Sequence, residues 1–330
     1  MTNVPFTRAR AARTLAASAA ALAAFSLVAP AISAQDRREV PRETIDRWLV
    51  ELSNKGRWGA NDERGTLNLI TPQVTAQAAS LVRKGISVSL SHDYVKQAGP
   101  GVTSPWEHEM RISESPFVSD RYSVVYHGGI HSHMDALCHN SYEGRLYNGF
   151  VRDEVVNQEG CARLGITNAK QGIVTRGVLI DMPRLRGVAR LDPGTPIYVD
   201  DIEAWEARTG IRIRSGDVLF FRTGRWSRPD TGGASSGPHV SIAPWLRARG
   251  VAMIGSDFAN EVRPTGVEGI GLPVHLLTLV TMGMPIFDNL DLERLAEVAA
   301  AEGRWEFMLV AAPLAVGGGT GSPLNPLAIF

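Results

Sequence analysis

The sequence predicts a single α/β domain built on a mixed sheet. Three observations predict it: apolar strand-like stretches recur along the chain, helical patterns lie between them, and no linker or internal repeat divides the 330 residues. Ile45, Trp48, Leu49 and Leu52 fall on one helical face, and Gly56 can end that helix. Thr71 followed by Pro72 opens a second helix, expected to close near Gly85. Ile86, Val88 and Leu90 alternate as in a half-buried strand. Further strands are expected over Arg121–His127, Gly177–Asp181, Gly216–Thr223, Val251–Gly255 and Phe307–Ala312, and helices over 200–209, 241–249, 273–282 and 291–302. Residues 226–240, rich in Gly, Ser and Pro, read as a surface loop.

Composition narrows the function class. Hydrophobic residues make up 44% and charged residues 21%, which excludes disordered and fibrous classes. The 34 basic and 34 acidic residues cancel, so no basic face for nucleic acid is expected. Two cysteines cannot build a disulfide scaffold; Cys138 and Cys161 pair in an oxidising compartment or stay as buried thiols.

Residues 1–34 read as a secretory signal. Arg8, Arg10 and Arg13 precede an Ala-rich apolar run from Leu15 to Ile32, and small residues lead to Ala34 before a polar start. The run is near the lower length limit for a membrane span and is broken by Pro30, which favours cleavage over anchoring. The expectation is an exported protein, periplasmic or secreted, with residues 35–330 as its one domain and no membrane contact after cleavage.

Chemistry concentrates in one short segment. His127, His131, His133, Asp135 and His139 all share one parity. In a strand they would face one side, so His131, His133 and Asp135 would converge, with His139 one turn on if the chain becomes helical. Imidazoles with a carboxylate suit a divalent ion such as zinc or manganese. Trp58, Tyr126 and Arg222 are candidate substrate contacts: two flat rings for stacking and a guanidinium for a carboxylate.

The segment Ser132-His133-Met134-Asp135-Ala136-Leu137-Cys138-His139 resembles the second part of the cyclase-family signature His-x-Gly-Thr-His-x-Asp-x-Pro-x-His. The family includes bacterial kynurenine formamidases and isatin hydrolases. Trp58–Asn68, Ser215–Gly224, Gly255-Ser-Asp257 and Gly321-Ser-Pro323 are similar to other family segments, so the likeness spans about 57 to 329. The resemblance implies a swivelling β/β/α-type fold, often oligomeric, and a small-molecule substrate. It implies His133 and Asp135 as metal ligands and His139 as the acid/base. His275 matches a later family histidine, and Asp288 stands where a glutamate is expected. Gly129 occupies the signature's first histidine position, so His131, or alternatively His127, supplies that ligand. One or two ions are implied.

On this reading the protein hydrolyses a C–N bond in an aryl formamide or small cyclic amide, a chemistry the resemblance links to tryptophan catabolism. A metal-activated water attacks the carbonyl and His139 moves the proton. A metal-dependent cyclase or dehydratase, or an exported metal- or ligand-binding protein without turnover, are the alternatives.

Overall fold

The computed structural model describes residues 1–2, 38–99, 101–227 and 233–330. The expected signal segment, apart from its first two residues, lies outside them. Among the described residues no helix is long and apolar enough to cross a membrane.

Among the described residues fifteen strands form in chain order: β1 (Ser87–Ser89), β2 (Glu107–Arg111), β3 (Ser119–Ser123), β4 (His133–Asp135), β5 (Val156–Asn157), β6 (Gly160–Cys161), β7 (Ile173–Asp181), β8 (Pro196–Ile197), β9 (Val218–Arg222), β10 (Gly237–Pro238), β11 (Met253–Ser256), β12 (Ile286–Asp288), β13 (Glu306–Ala311), β14 (Gly321–Pro323) and β15 (Leu327–Ile329). Nine of them make one mixed sheet in the order β1-β15-β13-β7-β9-β11-β12-β4-β14. β7, β9, β11 and β12 run parallel, and antiparallel strands flank them on both sides. The mixed α/β architecture expected from the sequence is thus present.

The parallel centre is buried on both faces, which is why it reads as an unbroken apolar run. Val218, Leu219, Phe220 and Phe221 are all inaccessible. The Phe220 ring lies 6.2 Å from Phe287 and 5.8 Å from Phe307. Burying each such ring stabilises the fold by about 1.5–3 kcal/mol. Gly177 on β7 makes room for this layer, because a Cβ there would sit 2.3 Å from the Phe307 ring. Helix Val199–Thr209 covers β7 and anchors through Trp205, whose indole N–H donates to the Leu179 carbonyl at 2.7 Å.

Four segments differ from the sequence expectation. Residues 235–240, expected in a surface loop, are buried and carry β10. The strand expected over Arg121–His127 ends at Ser123, and the chain is irregular until His133. The helix opened by Thr71 spans Pro72–Ala79 and stops short of Gly85. Over 273–282 a helical turn at Pro273–His275 widens into a π-helical stretch, Leu276–Met282. The remaining strands and helices form where expected, within a few residues at their ends. Cys138 and Cys161 form a disulfide with Cα atoms 6.5 Å apart, tying the segment after β4 to β6.

Candidate metal centre

β4 is only three residues long and is hydrogen-bonded on both sides. Against β12, His133 lies opposite Asp288 and Asp135 opposite Ile286. Against β14, His133 lies opposite Pro323 and Asp135 opposite Gly321. Strand alternation sends Met134 to one face, where it joins the core, and His133 and Asp135 to the other.

Four imidazoles gather around the buried Asp135. His127 Nδ1 stands 3.0 Å from Asp135 Oδ1 and His133 Nε2 3.4 Å from the same oxygen. His139 Nε2 and His275 Nε2 stand 3.8 and 3.9 Å from Asp135 Oδ2. His275 Nε2 also lies 3.3 Å from Asp288 Oδ2. The far nitrogen of three rings is held by an acceptor: His127 Nε2 by Thr320 Oγ1 (3.0 Å), His133 Nδ1 by the His131 carbonyl (2.7 Å) and His275 Nδ1 by Glu261 Oε1 (3.2 Å). With the protons on those nitrogens, each near nitrogen would present a lone pair to the Asp135 region. His127 Nδ1 and Asp135 Oδ1 are both buried, yet neither makes a well-formed hydrogen bond to the protein. A buried imidazole nitrogen and carboxylate oxygen this close, left without a well-aligned hydrogen bond, fit a cation between them. The ligand-type atoms of His127, Asp135 and His139 lie within 4.8 Å of one another, as do those of His133, Asp135 and Asp288. These residues fit a divalent ion, and Asp135 belongs to both groups.

The charges are strongly coupled. Burial alone would push the Asp135 carboxyl up, but the close approach of His127 and the fields of His139, His133 and His127 outweigh it and hold the group well below the carboxylate range. Burial also lowers His139, keeping the imidazole neutral. Its ring stacks on His127 with centroids 3.8 Å apart. His139 retains 31% of its side-chain exposure, against 2% for His133 and 23% for His127.

The structure separates the sequence candidates. His127, His133, Asp135, His139, His275 and Asp288 come together, and Tyr126 packs on this group, 4.5 Å from His127 and 5.9 Å from His133. His131, expected as a ligand, does not join them. Its Nε2 lies 2.8 Å from the Ser104 carbonyl, and its ring packs edge-on to Tyr94 and Trp106. The shared-parity argument fails there because residues 124–132 are not a strand. Asn289, in the left-handed region at φ 56°, donates to the carbonyls of Gly128 and His131 and holds this loop bent. Of the two candidates for the position left by Gly129, His127 is the one at Asp135. Arg222 lies apart from this group, paired with Asp181 Oδ1 at 2.8 Å and Glu293 Oε2 at 2.6 Å. Trp58 has the Arg57 guanidinium 4.6 Å from its ring centroid and no ring contact with the histidines.

Two residues that no sequence pattern singles out complete the surroundings. Glu261, on the loop after β11, accepts from the His275 backbone N–H at 2.9 Å and meets its Nδ1. Asn260 donates to Asp288 Oδ1 at 2.7 Å and to the Phe287 carbonyl at 2.8 Å.

Comparison with known proteins bears on this arrangement. The Cyclase family model matches residues 65–260, more than half of the chain. The chain belongs to the cyclase family. A solved structure described as a novel cyclase is 32% identical to this chain, with a TM-score of 0.78, covering 86% of this chain and 99% of that one. Isatin hydrolase A from Ralstonia solanacearum is 23% identical (TM-score 0.54), covering 78% of this chain and 95% of its own. Isatin hydrolase A from Labrenzia aggregata, bound to benzyl benzoate, is 20% identical (TM-score 0.53), covering 78% and 96%. At these lower identities the likeness is one of fold. No curated protein matches this chain.

Proposed function

We propose that this protein is a metal-dependent hydrolase of a C–N bond in an aryl formamide or small cyclic amide. The observation that carries the reading is the pair His127 Nδ1 and Asp135 Oδ1, buried, 3.0 Å apart and without hydrogen bonds, at the focus of three more imidazoles. The isatin hydrolases named above act on a cyclic amide, which supports the substrate class.

His127, His133, Asp135, His275 and Asp288 would hold one or two ions, zinc or manganese by the mixed imidazole and carboxylate donors. A divalent ion held there lowers the pKa of water and polarises a carbonyl. His139 is the acid/base: of the four imidazoles it keeps the most exposure, and its Nε2 faces the cluster at 3.8 Å, within reach of a proton passing between water and a leaving nitrogen. Tyr126 offers a ring face beside the site for a planar substrate. A signal-directed, oxidising destination accords with the Cys138–Cys161 disulfide.

Elemental analysis of the purified protein and of Asp135→Ala tests the centre. The expectation is about one or two zinc or manganese ions per chain in the parent and none in the variant. Hydrolysis of N-formyl aryl amines and lactams by the loaded protein would then fix the substrate class. Folded protein that takes up no metal on reconstitution would end this reading.

A further inference from the structure

We propose that the dipeptide Asn260–Glu261 is the positioning unit for the late half of the centre, aiming Asp288 and His275 at Asp135. This deepens the metal-dependent reading and rests on it. The two residues are consecutive, yet each holds a different candidate ligand. Asn260 uses its side-chain amide and its backbone N–H, at 2.7 and 3.3 Å, to occupy Asp288 Oδ1. That leaves Oδ2 turned toward His275 Nε2. Glu261 takes both the backbone N–H and the Nδ1 of His275 on one oxygen, Oε1. It thereby fixes the ring's rotation and directs Nε2 inward. Both residues are buried, at 0% and 1% exposure. Their loop is itself pinned: Ser235 Oγ donates to the Glu261 carbonyl, and a Cβ on Gly237 would lie 2.8 Å from that oxygen.

A carboxylate that only capped the turn at Pro273–His275 would need the backbone N–H groups alone. The added contact with the imidazole, and the neighbouring amide on the other late ligand, point to orientation of the centre. Carboxylate partners of metal-binding histidines fix the ring and raise its basicity, and their loss weakens metal binding by about 10–100-fold.

The test measures metal affinity by chelator competition with zinc and with manganese, using Glu261→Gln, Asn260→Ala and Ser235→Ala. Glu261→Gln keeps an acceptor for the backbone N–H. Ser235→Ala disturbs the same loop without touching either ligand. Glu261→Gln and Asn260→Ala should each weaken binding by about 10–100-fold, and the rise in Tm on adding metal should shrink with it. Ser235→Ala, which removes one pin of the loop and leaves both ligand contacts in place, should weaken binding by less than either positioning variant. Either positioning variant, folded and binding with unchanged affinity, would overturn the proposal; the two are independent, so a failure of one to fold leaves the other decisive. A parent protein that binds no ion overturns the metal reading itself, and is recognised before any variant is compared.

Discussion

The imidazoles of His127 and His139 lie parallel, with centroids 3.8 Å apart and planes 6° from each other. The pairing divides labour between two rings of the same chemistry. His127 has Nε2 on Thr320 Oγ1 and turns Nδ1 toward Asp135 Oδ1 at 3.0 Å, the placement of a ligand. His139 has only its Nε2 facing the cluster.

His139→Ala should therefore retain metal and lose turnover by about 10²–10⁴-fold. Metal content and kcat, measured on the same preparation, check this. Loss of metal in step with activity would make His139 a ligand.

Replacing both Cys138 and Cys161 by Ser should lower stability by about 2–4 kcal/mol, since the bridge closes a loop with a sequence separation of 23. Cys138 precedes His139 directly, so kcat should fall further than metal content does. Denaturant unfolding and kinetics of the double variant read the two effects separately.

Gly321→Ala should damage the centre from behind. A Cβ there would lie 2.4 Å from the Met134 carbonyl and 3.0 Å from His127 Cε1. Neither the β4 backbone nor the stacked ring can yield cheaply, so a cost of about 1–3 kcal/mol is expected, with weakened metal binding. Unchanged affinity would show that β14 does not set the position of His127.

Arg222→Ala should act on stability and leave substrate KM unchanged. It strands the buried Asp181 and the partly exposed Glu293 without their guanidinium. Breaking such a pair costs about 3–5 kcal/mol when fully buried, and Glu293, 29% exposed, places this case at the lower end. Thermal unfolding and KM together decide between an architectural and a substrate role.

The legible parts of this protein are those governed by local period. The runs at Val218–Phe221 and Phe307–Ala311 announce buried strands, and the Thr71-Pro72 pair announces a helix start. Parity placed His133 and Asp135 on one face because those two residues are in a strand. It misplaced His131 because Asn289, far along the chain, bends the intervening loop through hydrogen bonds that no local pattern encodes. Glu261 was illegible for the same reason: its partner is 14 residues away across an irregular segment, and a lone Glu after a strand reads as surface. Arg222 has the right chemistry for substrate, and only tertiary contact shows its charge already matched.

The placement of β4 also dictates an order of assembly. Its two neighbours, β12 and β14, begin at Ile286 and Gly321, so a growing chain carries His127–His139 for some 150 residues before either edge of that strand can be covered. Local contacts cannot organise the cluster, and closure over such long separations is slow. A nascent chain lacking Thr320 and Gly321 would thus display its histidines without a fixed geometry to hold them. On the metal-dependent reading, ion capture would be a late event, one that certifies a finished sheet.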